Sequence, residues 1–139
     1  MGYDLMNESG ADLRLSNAGW ALLLNLAEAY GWTPQGSLPP EDLAASEWTG
    51  DYDTNDGERV SREDAKAMAD ALERALADPE RTVKEREIGR ELNRALRKME
   101  IAAFGEDLPP EKEVEVPATD DEFLRTFIRF LRAGSFRID

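Results

Sequence analysis

Four stretches of the chain repeat apolar residues at the spacing of an α-helix. The first follows Asn17, which we expect to cap a helix that ends near Tyr30, with Gly31 as its stop. Its apolar residues cover most of a helical wheel and leave only Asn25 and Glu28 as a narrow polar edge. A helix that is apolar nearly all round is normally enclosed by its domain, so the pattern predicts that this helix is central.

The other three predicted helices are amphipathic. Each begins with a Ser or Thr that is followed three residues later by Asp or Glu, as in a capping box. The second helix runs to about Ala77, ahead of Pro79. The third carries an apolar stripe from Ile88 to Met99, and the fourth ends at Gly134. The capping pairs are Ser61 with Asp64, Thr82 with Glu85, and Thr119 with Glu122.

Both ends of the chain alternate apolar and polar residues, which is typical of strands. The N-terminal alternation lies on both sides of Ser9-Gly10 and predicts a β-hairpin over about residues 3–15. Residues 135–138 alternate in the same way and could add a strand to that hairpin. The sequence therefore predicts an α+β, helix-dominated fold, in which about four helices surround a central apolar helix. A small antiparallel sheet is expected from the N-terminal hairpin and the C-terminal strand.

The length of 139 residues suits one domain that can bury a core without a disulfide or a metal, so we expect a single globular domain over residues 1–139. The absence of cysteine fits a reducing compartment. The N-terminal residues do not resemble a secretory signal, and the longest apolar run, from Trp20 to Leu24, is too short to span a bilayer. These features predict a cytoplasmic protein.

The charge balance restricts the chemistry. The chain has 30 acidic and 17 basic residues, a net charge of −13, and it has no histidine and no cysteine. It therefore lacks the usual general base near neutral pH, the commonest zinc ligands, and the Ser-His and Cys-His nucleophile pairs. The excess of negative charge repels nucleic acid and anionic membranes and favours a basic partner. We expect no cofactor, no direct binding to nucleic acid or membranes, and a non-catalytic role in preference to an enzymatic one.

One acidic segment, residues 51–64, is similar to an EF-hand calcium loop. In the register that starts at Asp51, the required glycine falls one place late and Arg62 takes the position of the bidentate Glu. In the register set by Gly57, Tyr52 takes the first ligand position. Because neither register supplies the calcium ligands, we predict an acidic loop that turns at the glycine and binds no metal.

Arginines line one face of the third and fourth predicted helices. They could form a track for phosphates, or a solvated face whose charges pair with neighbouring carboxylates. The net negative charge of the chain favours the solvated face. The arginines are Arg86, Arg90, Arg94 and Arg97 on the third helix, and Arg125, Arg129 and Arg132 on the fourth.

Three runs of the sequence resemble a family of small bacterial and phage-associated proteins. The runs are RLSNAGWALLLNLAEAYGWTPQGS, WTGDYDTNDGERVSREDAKAMADALERAL and FIRFLRAGSF. They fit the pattern YGW-x-P-x-G, then W-x-G-x-Y…N-x-G-x-x-V-S-x-x-D-A, then a terminal F-x-x-F-x-R-x-G-x-F. The resemblance implies a stand-alone bacterial or phage protein and implies no catalytic residues.

The leading hypothesis is a non-catalytic acidic binding protein, of the inhibitor, immunity or regulatory type. It would mask a basic surface on a partner protein, such as a nucleic-acid-binding protein. Contact is expected from the two densest acidic segments, 41–58 and 106–122, with Trp48 and Tyr52 as anchors because hot spots favour aromatic residues. The candidate partner-binding residues are Glu47, Trp48, Asp51, Tyr52, Asp53 and Asp56.

The alternative is a carboxylate- or cation-dependent small-ligand-binding protein or enzyme that uses the loops from Trp32 to Tyr52. Aromatic residues beside Gly and Pro, with carboxylates nearby, can line a ligand cleft. The same residues can instead plug the base of a long connection and anchor it to the core. The sequence leaves both interpretations of these aromatic residues open.

Overall fold

The computed structural model describes residues 2–104 and 120–139. The described residues form an α+β fold dominated by helix, as predicted. A short 3₁₀ helix, Ala45–Glu47, interrupts the connection between the first helix and the third strand. The helices are α1 (Asn17–Ala29), α2 (Arg62–Ala77), α3 (Arg81–Phe104) and α4 (Asp121–Arg132), and the strands are β1 (Gly2–Asn7), β2 (Asp12–Ser16), β3 (Glu58–Val60) and β4 (Phe136–Ile138).

The four strands form one antiparallel sheet in the order β2-β1-β4-β3. The predicted hairpin is confirmed, since β1 pairs with β2 and Leu5 lies opposite Leu13. The predicted C-terminal strand is also confirmed, because β4 pairs with β1 and Ile138 lies opposite Leu5. The sequence did not predict β3, which pairs with β4 and places Val60 opposite Phe136. This strand forms through a partner that is distant in sequence, and its three residues carry too little local pattern to be recognised.

Helix α1 is the central helix, as predicted. It contacts α2, α3 and the first two strands. The ring of Trp20 packs edge-on against Phe127 of α4 and Phe136 of β4, with 6.3 Å between ring centroids in each pair. Of the described helices, none is both long and apolar enough to cross a membrane. The buried residues of α1 are Trp20, Leu22, Leu23, Leu26 and Ala27.

Two helices begin one residue away from their predicted caps. Ser16, rather than Asn17, caps α1, because its side chain accepts a hydrogen bond from the N–H of Gly19 at 3.0 Å. Asp120 caps α4 by accepting from a backbone N–H of the first turn at 2.6 Å. The predicted cap of α4, Thr119, lies outside the described residues. Neighbouring polar residues can satisfy the same open N–H groups, so the sequence places a cap only to within about one residue.

Helix α2 begins after its predicted cap, Ser61, but α3 begins earlier than predicted. It starts at Arg81, so Thr82 lies inside the helix instead of capping it. Glu85 is buried and forms an ion pair with Arg81 at 3.4 Å. The predicted Thr82–Glu85 capping box is therefore wrong. Glu85 is buried in an ion pair with Arg81 inside the first turns of the helix, so its carboxylate does not cap the helix.

The arginines of the two helices behave as a charged surface. On α4, Arg132 bridges to Asp70 and Glu73 of α2, at 2.9 Å in each case. This contact ties the two helices together with exposed ion pairs, as expected for a solvated face. Three of the α3 arginines, Arg86, Arg90 and Arg94, are exposed, whereas Arg97 is half-buried, so the prediction of a solvated face does not hold fully at Arg97.

Candidate partner-binding loop

Five of the six predicted partner-binding residues lie between the 3₁₀ helix and β3, and the sixth, Glu47, is the last residue of the 3₁₀ helix. The four acidic residues are exposed, whereas the aromatic residues Trp48 and Tyr52 are half-buried. The structure therefore separates the six residues into an outward acidic set and an inward aromatic set. We call the outward set the acidic loop cluster, and its members are Glu47, Asp51, Asp53 and Asp56.

Tyr52 attaches the middle of the loop to the start of α2. Its hydroxyl donates to Oδ2 of Asp64 at 2.5 Å and accepts from the N–H of Gly36 at 2.8 Å. Trp32 donates its indole N–H to Oδ1 of Asp64 at 2.9 Å, and its ring meets the Tyr52 ring edge-on at 5.3 Å. Asp64 is 0% exposed, so these donors satisfy both oxygens where water does not reach. Burial and the adjoining carboxylate raise the pKa of the Tyr52 hydroxyl above its usual value, so it stays a donor well above neutral pH.

Trp48 closes the loop on its other side. Its indole N–H contacts the carbonyl oxygen of Ser37 at 3.0 Å and the hydroxyl oxygen at 3.1 Å. Ser37 in turn donates its N–H to the carbonyl of Gly50 at 3.1 Å and its hydroxyl to the carbonyl of Asp51. A Cβ on Gly50 would lie 3.4 Å from the Cα of Gly36, and both glycines have positive φ, 80° and 95°. Glycine at these positions lets the two chain segments cross closely.

Two aromatic residues from outside the loop hold the backbone beneath the acidic residues. Trp20 of α1 donates its indole N–H to the carbonyl of Tyr52 at 2.7 Å. Tyr3 of β1 donates its hydroxyl to the carbonyl of Asp53 at 2.6 Å. Because these anchors bind main-chain atoms, they fix the loop while leaving the Asp53 carboxylate exposed.

Glu58 differs from the other acidic residues of segment 41–58. It is 0% exposed, because it faces the core at the start of β3 and alternates with the exposed Arg59. Its carboxylate accepts hydrogen bonds from the hydroxyl of Thr54 and from the N–H of Asp56, the latter at 3.1 Å. Burial raises the pKa of the Glu58 carboxyl group. The expectation that the whole segment faces a partner is therefore wrong at Glu58, which supports the loop from inside.

The acidic loop cluster carries uncompensated charge. Within residues 2–104 and 120–139, none of its four carboxylates forms an ion pair. Asp51 accepts a hydrogen bond from the neutral hydroxyl of Thr49. Several carboxylates elsewhere do pair with arginines: Asp4 with Arg14, Glu8 with Arg62, Asp121 with Arg81, and Asp139 with Arg137. The loop thus presents part of the net negative charge of the chain to solvent, with no neutralising partner in the part of the chain that the structure describes.

The carboxylates of this region do not form a metal-binding group among the described residues. Among the described residues, no group of three or more His, Cys, Asp or Glu side chains is placed to hold a metal ion. The buried Asp64 and Glu58 use their oxygens on indole, hydroxyl and backbone donors. The exposed carboxylates are left to interact with an external cation or cationic side chain.

The second acidic segment, 106–122, lies mostly outside the described residues. Its last members, Asp121 and Glu122, are exposed at the start of α4. Asp121 pairs with Arg81 at 2.6 Å, and this ion pair lowers the pKa of the Asp121 carboxyl group. A contribution of this segment to partner binding stays a prediction.

The residues that fix the loop were not found from the sequence. Tyr3, Trp20 and Asp64 were predicted as strand, core and capping residues, and each also contacts the loop. The sequence does indicate that such residues need partners, since buried indole and phenol groups nearly always require a hydrogen-bond partner. That requirement does not reveal which carboxylate or carbonyl serves as the partner.

Comparison with known protein families, curated proteins and solved structures finds no significant match. The resemblance to bacterial and phage-associated proteins therefore stays a prediction.

Proposed function

We propose that the protein is a non-catalytic acidic binding protein, of the inhibitor, immunity or regulatory type, that masks a basic surface of a partner protein in the cytoplasm. The observation that carries this proposal is the acidic loop cluster. Four exposed carboxylates without a described cationic partner lie on a loop whose main chain is tied to the core. A basic surface is the partner that neutralises such a loop.

The anchored backbone lowers the cost of binding. A flexible acidic segment would lose conformational entropy when it met its partner, whereas a loop already fixed at Gly50, Tyr52 and Asp53 loses less. Complementary charge also speeds diffusional encounter and makes the association rate sensitive to salt. The proposed contact is therefore fast and electrostatic.

The two aromatic residues serve mainly as supports for this surface. Trp48 and Tyr52 are half-buried, and their polar atoms bond to Ser37, Gly36 and Asp64 inside the protein. Removal of either ring is expected mainly to disturb the structure of the loop, and to remove little direct contact with the partner. The acidic loop cluster supplies the contact itself.

Affinity capture tests the proposal. The wild-type protein, immobilised at low salt, is expected to retain a protein with a cationic surface from the native host. The triple variant Asp51→Lys, Asp53→Lys, Asp56→Lys should lose it. The matched control is Glu28→Lys, Glu87→Lys, Glu91→Lys, which changes three exposed helical acids by the same total charge. The control should retain the partner.

The contradicting outcome is equally specific. Capture that persists in the loop variant, and that is unaffected by salt between about 50 and 500 mM, would exclude an electrostatic mask. The aromatic-loop ligand site would then become the leading hypothesis. A small-molecule screen by thermal shift would test it next, since a ligand that binds the folded state raises its melting temperature.

A further inference from the structure

The sheet has one face away from the core, and a row of exposed residues crosses the middle of this face. Met6 of β1 lies opposite Arg137 of β4, and Arg137 lies opposite Arg59 of β3. Asp12 of β2 extends the row at one end, where it lies opposite Met6, and Leu38 extends it at the other through a bridge to Arg59. All five side chains are exposed. We call these five residues the central row.

The central row concentrates exposed apolar surface. Within residues 2–104 and 120–139, the exposed large hydrophobic side chains are Met6 at 46%, Leu38 at 45% and Val83 at 52%. Two of these three flank the arginines of the central row. A shallow groove of about 220 Å³ lies over this part of the sheet, and its lining includes Met6, Glu8, Arg59, Ser135, Phe136 and Arg137.

Two like charges lie directly opposite each other in the row. Residues opposite on antiparallel strands have Cβ atoms about 4.5–5.5 Å apart, and like charges there are destabilising. Arg137 is partly compensated by Asp139, whose carboxylate accepts from its Nε at 2.8 Å. Among the described residues, the guanidinium of Arg59 hydrogen-bonds only to the backbone carbonyl of Pro39, at 3.4 Å.

Another cross-strand pair on the same face joins two opposite charges. Asp4 lies opposite Arg14, and their side chains form an ion pair at 3.1 Å. The Arg59–Arg137 pair therefore departs from the pattern of its own sheet. In a chain with 13 excess negative charges, this pair is a local positive site flanked by exposed apolar side chains.

We propose that the central row is a docking site for a peptide segment of a partner protein that presents an Asp or Glu side chain between apolar residues. The carboxylate would accept hydrogen bonds from the guanidinium of Arg59, in the paired geometry that arginine favours, and would relieve its repulsion with Arg137. The flanking apolar residues would cover Met6 and Leu38. A second copy of this chain is a poorer occupant, because two molecules of net charge −13 repel each other.

This site uses other residues than the acidic loop cluster and selects the opposite charge. If the acidic loop cluster proved not to bind a basic partner, the proposal for the central row would be unaffected, and the reverse also holds. Either surface can therefore be tested without the other.

A displayed library of random heptapeptides, selected on the full-length protein, tests the docking site. Peptides that combine Asp or Glu with apolar neighbours are expected to be enriched. A synthetic copy of an enriched peptide should shift the backbone amide resonances of residues 6, 59 and 137. Its affinity should fall about tenfold or more in the variant Met6→Ser, Arg59→Gln.

The matched control replaces an exposed apolar residue and an exposed arginine of α3, as Val83→Ser, Arg90→Gln. This control should bind the peptide like wild type, and circular dichroism should show that both variants are folded. Enrichment of basic peptides alone would overturn the proposal, as would equal binding to both variants. Dimerisation of the wild-type protein that is lost only in Met6→Ser, Arg59→Gln would also overturn it, because a second copy would then be the occupant.

Discussion

Two buried carboxylates, Asp64 and Glu58, hold the acidic loop from inside the molecule. Asp64 accepts from Trp32 and Tyr52, and Glu58 accepts from Thr54 and the backbone of the loop. Both are acidic residues, yet neither contributes to the charged surface. At the scale of single residues, the position of a carboxylate relative to the core decides whether it is exposed to a partner or supports the fold.

The first prediction concerns Glu58 and pH. Because burial raises its pKa above the ordinary value of 4.5, the protonated form is favoured in the folded state. This contribution to stability is fully present below about pH 4.5 and is lost as pH rises through the pKa of the folded protein. Glu58→Gln, which stays neutral, should therefore gain stability relative to wild type as pH rises. The gain should be about 1.4 kcal/mol for each unit of pKa difference.

Urea denaturation of both proteins between about pH 4 and pH 8 measures this gain. Comparison with the variant is needed because Asp121 and Asp78, whose pKa values are lowered, act in the opposite direction in both proteins. A constant stability difference over the whole pH range would contradict the raised pKa of Glu58.

The second prediction concerns the Tyr52 hydroxyl. Tyr52→Phe removes a donor to Asp64 and an acceptor for Gly36, and Asp64 is fully buried. Because a buried polar group is then left without one of its partners, the free energy of unfolding should fall by about 1–3 kcal/mol. Tyr3→Phe is the control, since it removes one hydroxyl bond at an exposed carbonyl and should cost at most about 1 kcal/mol. Equal, small effects in the two variants would contradict the anchoring role of Asp64.

At the scale of elements, the sequence predicted what local pattern encodes. The apolar spacing around Trp20 to Leu26 placed α1, and the alternation near the termini placed β1, β2 and β4. Strand β3 could not be predicted, because Glu58–Val60 becomes a strand only through pairing with a segment distant in sequence. The start of α3 was misplaced because the Arg81–Glu85 ion pair depends on burial, which a capping pattern does not report.

The candidate site likewise has a part that the local sequence indicated and a part that depends on contacts distant in the sequence. Charge composition and aromatic residues near glycine indicated all six residues of the loop, since these are local features of segment 47–56. The supports from Tyr3 and Trp20 are contacts between elements that lie far apart in the sequence. Such contacts follow from the assembled fold and could not be predicted before it.

The third prediction tests the central position of α1. Leu23 is fully buried, whereas its neighbour Leu24 is half-buried. Leu23→Ala should lower the free energy of unfolding by about 2–5 kcal/mol, because it leaves a cavity in the core. Leu24→Ala should cost less, about 1 kcal/mol. Urea denaturation distinguishes these values, and near-zero changes at both positions would mean that the helix exposes an apolar side in solution.

At the scale of the whole molecule, charge is distributed unevenly over an otherwise well-packed fold. Arginines neutralise carboxylates between β1 and β2, between α2 and α4, and at the start of α3. The acidic loop cluster stays unpaired within the described residues, and the sheet carries the Arg59–Arg137 pair. The two surfaces differ in sign, so a partner that met both would be held in one orientation.

The association rate constant is the most direct test of the proposed function. It should be measured with the purified captured partner, for wild type, for Asp51→Lys, Asp53→Lys, Asp56→Lys, and for the control Glu28→Lys, Glu87→Lys, Glu91→Lys. We expect the association rate constant to fall about tenfold or more in the loop variant at low salt and much less in the control, with dissociation rates that change little. Added salt should also slow association of the wild type. Association rates that are the same for all three proteins, at every salt concentration, would contradict the central claim that the acidic loop cluster recognises a basic partner.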